Sequence, residues 1–167
     1  TWSAPIKVND DNTTRHQFFV WSTIDPSTGH LWFVFYDRRN TTGAATDVFV
    51  AKSADGGTTF ENFKVSETSF TPDAGTFFGD YTNIAAWDGK IYPFWMRLNG
   101  GQLSVLITKI QDIVPVELNN FTADVKQGKV YLAWETATEL NNLGFYIERR
   151  NIDAVENETE WVEIGFK

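Results

Sequence analysis

The sequence predicts an all-β protein, and three observations carry that prediction. Seven Trp, five Tyr and fourteen Phe make up 16% of the chain, a composition suited to pleated, half-buried surfaces. Apolar residues come in short aromatic or β-branched runs, each closed by Gly, Asp, Asn or Ser. Between two of these runs stands Asp88-Gly89, a dipeptide favoured in two-residue hairpins because both positions need positive φ.

The strands follow in order. Runs at 17–24, 31–36, 47–52 and 61–65 read as four antiparallel strands. Their connections, Asp25-Pro26-Ser27-Thr28-Gly29 and Arg39-Asn40-Thr41-Thr42-Gly43, supply Pro, Gly and Asn where turns need them, which makes the group a meander. A second group runs through 83–87, the Asp-Gly turn, 90–97, the Asn99-Gly100-Gly101 turn and 103–110. Near 111–115 aromatic density falls and acidity rises: nine basic against twelve acidic residues up to Asp112 give way to five against ten beyond it. A domain boundary is expected there, dividing the chain into 1–112 and 113–167. Strands continue at 116–124, 129–136, 144–150 and 161–164, where Val130, Leu132 and Trp134 alternate with Tyr131, Ala133 and Glu135. Residues 136–142 read as a loop.

Composition narrows the function classes. A net charge of -8 with no Lys/Arg run argues against nucleic acid or an anionic membrane surface as partner. With no cysteine there is no disulfide framework, no thiolate metal site and no thiol nucleophile. No apolar run approaches the length of a membrane-spanning helix, so membrane insertion is not expected. Thr1 opens the chain without a Met or an apolar leader, and the expectation is a removed signal peptide or a piece of a longer protein.

One motif has specific spacing. Ser53-Ala54-Asp55-Gly56-Gly57-Thr58-Thr59-Phe60 fits S-x-D-x-G-x-T-[FW] between two predicted strands. Ser53, Asp55 and Thr59 can hydrogen-bond the backbone of a tight turn, Gly57 supplies positive φ, and Phe60 is expected to drop into the layer between sheets. On these residues the sequence resembles the Asp-box, or bacterial neuraminidase repeat, of sialidase-like β-propellers. Trp2-Ser3-Ala4-Pro5, Phe35-Tyr36-Asp37-Arg38-Arg39, Phe78-Gly79-Asp80-Tyr81 and Ile91-Tyr92-Pro93-Phe94-Trp95 extend the resemblance over 1–110. A blade takes four strands and about 40–45 residues, and a ring takes about four to eight blades. The resemblance therefore implies roughly two blades, completed by more of the same protein or by another chain. In that family the box buttresses turns away from the catalytic centre.

Beyond 112 the chain is similar to fibronectin type III-like modules. Val116-Glu117-Leu118, Val130-Tyr131-Leu132-Ala133-Trp134 and Gly144-Phe145-Tyr146-Ile147-Glu148-Arg149-Arg150 carry the likeness, with Trp134 as the inter-sheet tryptophan. About half a sandwich is present. Such modules commonly precede the sorting tail of proteins exported by the type IX secretion system, which implies a secreted or cell-surface protein.

Sialidases use a Tyr nucleophile with arginines that hold the substrate acid, so the resemblance makes Tyr36, Asp37 and Arg38 the catalytic candidates, with Arg39 and Arg97 as further cations. Read by position alone, Tyr36-Asp37-Arg38-Arg39 ends a strand and enters a turn, where an Asp-Arg pair anchors a loop. Two blades do not supply every group such a site needs. The expectation is a binding or structural module, non-catalytic by itself; the alternative is part of an exo-sialidase-like glycoside hydrolase. No cofactor is expected, and calcium is the one ion that the oxygen-rich Asp10 and Asp11 suit. His16 and His30 read as exposed loop residues without zinc spacing. Trp21, Trp32, Trp87 and Trp95 read as core, with contact to glycans as the other use of their flat faces. Expected partners are glycans or other extracellular chains, including further copies joined through open sheet edges.

Overall fold

The computed structural model describes residues 1–73, 75–112, 116–138, 143–150 and 161–167. Described residues hold strands and turns and no helix, so the protein is all-β, with several small antiparallel sheets. The chain divides into two compact units, Thr1–Val114 and Pro115–Lys167, parting two residues beyond the composition change at Asp112.

In the first unit β1 (Gln17–Ile24), β2 (Leu31–Asp37), β3 (Asp47–Ser53) and β4 (Glu61–Lys64) form one sheet in sequence order. The second sheet contains β5 (Asn83–Trp87), β6 (Lys90–Asn99), β7 (Gln102–Ile107) and β8 (Ile110–Gln111), with β6 between β5 on one edge and β7 and β8 on the other. The expected single strand 103–110 is interrupted at 108–109. Pro93 explains the break: it has no N–H, so only its carbonyl reaches across, accepting from the Thr108 N–H at 3.4 Å. Elsewhere the hairpin chemistry holds. Asp88 and Gly89 lie at φ 53° and 67° and join β5 to β6 across two residues.

Both sheets are apolar on both faces. Trp32, Val34, Tyr36, Val48 and Val50 point from the first sheet into a core shared with Ile84, Ile91, Trp95 and Leu98 of the second. The alternate residues Phe33, Phe35, Phe49 and Ala51 form a separate cluster on the outer face, partly covered by Val8. A bulge in β1 between Phe18 and Trp21, with Phe19 at φ 52°, lets Phe18 and Phe19 both pack on the shared core.

β1 and β5 lie along the seam between the sheets. The Thr82 hydroxyl, just before β5, donates to the Phe19 carbonyl at 2.6 Å. Beyond the other end, the Gly89 N–H donates to Asp25 at 2.7 Å. Matching ends meet, so the two strands run side by side in the same direction.

The second unit contains two ribbons, β9 (Glu117–Lys126) with β10 (Lys129–Thr138) and β11 (Tyr146–Arg149) with β12 (Val162–Phe166). Gln127 and Gly128, both at positive φ, close the first hairpin. Thr136, Ala137 and Thr138 continue β10, correcting the loop expected there, because cross-strand pairing resumes beyond a shift in register; residues 139–142 of that expected loop lie outside the described ones. Strand β11 begins at Tyr146 rather than 144, and Phe145 and Lys167 exchange backbone hydrogen bonds one step beyond it in the same register.

Candidate functional site

The stretch Tyr36-Asp37-Arg38-Arg39 is set by β2. Its alternation sends Tyr36 into the shared core and Asp37, the next residue, to the opposite face. Asp37 is thus the last residue of the strand rather than the first of a turn. The Tyr36 hydroxyl donates to the Met96 carbonyl at 2.8 Å and accepts from the Met96 N–H at 2.9 Å. Burial pushes its pKa up to about 12, so the phenol stays protonated at neutral pH. Asp37 is buried and accepts from the Arg39 N–H and Nε, both at 2.7 Å, and from Gln17 at 3.3 Å.

The cations diverge. Arg38 donates to Thr46 at 3.1 Å and lies over Phe18. Arg39 stacks on Phe49, 4.4 Å from the ring centroid, and also reaches Asp10 and Asn62. Arg97 donates to Glu67 and Thr68 on the wall of an open cleft of about 700 Å³ that also takes in Asp73 and Gly100. Of the residue types that a sialidase centre requires, Tyr36 and Asp37 occupy opposite faces, and Arg97 lines a cleft to which Tyr36, Asp37, Arg38 and Arg39 do not contribute.

Ser53-Ala54-Asp55-Gly56-Gly57-Thr58-Thr59-Phe60 forms a closed network. Asp55 Oδ1 accepts from Ser53 Oγ at 2.8 Å and from the N–H groups of Thr58 and Thr59 at 3.0 and 2.9 Å, while Oδ2 accepts from Thr59 Oγ1 at 2.6 Å. Ser53 in turn accepts from the Gly57 N–H at 2.9 Å. The Thr59 hydroxyl and N–H, then Ser53, hold the Asp55 carboxyl well below the usual carboxylate range. Gly56 and Gly57 sit at φ 69° and 91°, the conformation the turn was expected to need. Phe60 departs from expectation: it packs edge-on against Phe33, centroids 5.6 Å apart, on the outer face rather than between the sheets. Phe33 belongs to that face by strand alternation, and the turn delivers Phe60 to the same side.

Asp10 and Asp11 are committed to protein donors. Asp10 meets Arg39, and the buried Asp11 accepts from the Thr13 N–H at 2.8 Å, Thr13 Oγ1 at 3.0 Å and Gln17 at 2.8 Å. The Thr13 N–H is the chief cause of a lowered Asp11 pKa. Among the described residues no group of three or more His, Asp or Glu is placed to hold a metal ion.

Asp25 and Asp112, like Asp47, are buried carboxylates that escaped the sequence reading. Asp25 accepts from the Ser27 N–H and hydroxyl at 3.0 and 2.6 Å as well as from Gly89, tying the β1–β2 turn to the β5–β6 turn. Asp112 bridges His30 Nδ1 and Lys52 Nζ, each at 2.6 Å. His30 is therefore not the exposed loop residue expected; its side chain is 12% exposed because β8 brings Asp112 against it. His16 is exposed, as read. Asp-Pro and Asp-Ile steps at these positions carry no sequence signal beyond a turn residue.

The tryptophans split. Trp32 and Trp95 are core, whereas Trp21, on edge strand β1, is 42% exposed and Trp87 is 69% exposed, because Trp87 lies on the face of β5 opposite the core-facing Ile84 and Ala86. Trp21 meets Tyr81 edge-on, centroids 6.3 Å apart. Comparison with known protein families, curated proteins and solved structures found no match to this chain.

Proposed function

We propose that the chain is a binding or structural module of a secreted or cell-surface protein, non-catalytic by itself. In this reading the first unit consists of sialidase-like propeller blades and the second is part of a fibronectin type III-like sandwich. One observation carries it: two sheets, each in meander order and apolar on both faces, stack across a shared core with β1 and β5 parallel at the seam. Antiparallel sheets with a single covered face alternate apolar and polar residues; apolar character on both faces is the mark of a sheet built to sit between neighbours. Parallel first strands are what successive blades around an axis would produce. The Ser53–Asp55–Thr59 network supports the same reading, since it stiffens a turn and leaves no carboxylate oxygen without a donor.

Exposed Trp21, Tyr81 and Trp87 are the surfaces on which a glycan would stack. The competing exo-sialidase reading is tested by hydrolysis of a fluorogenic sialoside by this chain. The expected result is no turnover above buffer. Turnover that disappears in Tyr36→Phe or Arg38→Ala, with the fold retained, overturns the proposal.

A further inference from the structure

Asp112, next after β8 in the first unit, is gripped from three sides. Its N–H donates to the Gly89 carbonyl at 2.7 Å, its Oδ1 accepts from Lys52 Nζ at 2.6 Å, and its Oδ2 meets His30 Nδ1 at 2.6 Å. The side chain of Asp112 is 1% exposed, that of His30 12% and that of Lys52 20%. An ionised carboxylate only accepts, so this contact puts the imidazole hydrogen on Nδ1. Lys52 is fixed by β3, opposite Trp32 of β2 and Glu61 of β4, with its nitrogen 5.7 Å from the Trp32 ring centroid.

An amine and a carboxyl group held in this way are the reactants of an amide bond, already placed. Groups well oriented within one molecule react as if present at effective molarities of about 10⁵–10⁸ M. The attacking form is the uncharged amine, and one proton passed from Nζ to Oδ1 along the 2.6 Å contact produces it together with the uncharged acid. Burial of the carboxyl keeps out the water that would reverse the condensation. The His30 Nδ1–H faces the other oxygen, where negative charge develops as nitrogen adds to carbon, and one such donor is worth about 10²–10³ in rate.

We propose that Lys52 and Asp112 condense to an intramolecular isopeptide bond, with His30 steadying the tetrahedral intermediate. The Nζ–Cγ bond forms and the Cγ–Oδ1 bond breaks. Of the three ammonium hydrogens, one stays on the amide nitrogen and two leave with Oδ1 as water; nothing is oxidised or reduced. The bond ties β3 of the first sheet to the residue after β8 of the second, sixty positions along the chain, in a protein that has no cysteine for a disulfide. A second pair serves as an internal control. Buried Asp47 meets Lys64 Nζ at 2.9 Å, but Lys64 is 35% exposed, and the other side chains on that carboxylate are the Ser66 and Ser69 hydroxyls rather than an imidazole.

Mass spectrometry of the whole denatured chain tests this. The chain, once folded, is expected to weigh one water molecule less than its sequence requires, and digestion is expected to yield a branched peptide joining the Lys52 and Asp112 segments, with Lys64 unlinked. Lys52→Arg keeps the positive charge, forms no amide and is expected at full mass. Followed from the start of cell-free synthesis, water loss is expected to be at least tenfold slower in His30→Ala and to recover in His30→Gln, which keeps an N–H for Oδ2. An unaltered chain that stays at full mass, with its thermal unfolding showing it folded, overturns the proposal. Water loss that survives in Lys52→Arg also overturns it, since that marks a succinimide at Asp55-Gly56 or Asp88-Gly89 instead. Sialoside turnover does not enter these readouts, so this proposal and the non-catalytic reading fail separately.

Discussion

Tyr36 and Met96, sixty residues apart, are joined by two hydrogen bonds through a single phenolic oxygen. The hydroxyl completes both backbone groups of Met96, at 2.8 and 2.9 Å, and so pins the centre of β6 to β2 across the core. Tyr36→Phe keeps the ring and its contacts with Phe18, Phe70 and Phe78 but strands one donor and one acceptor. Each buried unsatisfied group costs about 1–3 kcal/mol, and the expected loss of stability is about 2 kcal/mol in urea unfolding, with the slope m unchanged. A neutral result would mean that water replaces the hydroxyl.

Asp25 makes stability depend on pH. Burial alone would raise its pKa, but donors from Ser27, Gly89 and Asp88 outweigh this and lower it. A carboxyl with a depressed folded pKa contributes stability that is present above the unfolded value of about 3.9 and is lost as pH falls through the folded value. Asp11 and Asp55 act with the same sign. The melting temperature is therefore expected to fall as the pH drops below about 4. Asp25→Asn should lower it at pH 7 and flatten that acid slope; a slope identical to that of the unaltered chain would place the pH dependence elsewhere.

Local chemistry made the strands legible and long-range partnership did not. The limits of β1 and β5 follow from their apolar runs and turns, and Asp88-Gly89 adopts the positive φ its identity demands. The Ser53–Asp55–Thr59 network was readable because all its partners lie within a few residues of one another. Asp112 with His30 and Lys52, eighty-two and sixty residues away, was not, since neither residue type nor spacing encodes a contact made by stacking sheets. Trp21 and Trp87 show the same limit. Their runs look like those of Trp32 and Trp95, and only the assembled sheets separate exposed from buried: β1 is an edge strand, and Trp87 lies on the face of β5 opposite the core-facing Ile84 and Ala86. Tyr36 and Asp37 were grouped by adjacency along the chain, which in a strand means opposite faces.

The Asp55 turn is expected to fail locally. Asp55→Ala removes acceptors for Thr58 N–H, Thr59 N–H, Thr59 Oγ1 and Ser53 Oγ together, but all except Ser53 are exposed and water can replace the carboxylate. Faster amide exchange at Gly57, Thr58 and Thr59, with β2 and β3 unaffected, is the expected signature. Ser53 is buried, so Ser53→Ala should act more widely, lowering global stability by about 1–2 kcal/mol. Equal global losses from both substitutions would contradict this division.

The two units should differ in how firmly they hold their amides. Every buried hydrophobic side chain among the described residues belongs to Thr1–Val114. In Pro115–Lys167 the described residues form two-stranded ribbons with ring contacts of Trp134 edge-on to Phe145 at 5.6 Å and of Tyr146 with Phe166 at 5.0 Å, and Phe121, Val125, Val130 and Phe166 stay more than half exposed. A lone two-stranded ribbon is marginal in water, because ordering it costs more than one half-covered face returns. Native-state hydrogen exchange on the whole chain should therefore protect Val34, Val48, Val50 and Ile91 up to the global unfolding free energy. The amides of β9 to β12 should open several kcal/mol sooner. Equal protection in both units would require cover for the β9–β10 face, and the most economical source is strands that complete the sandwich.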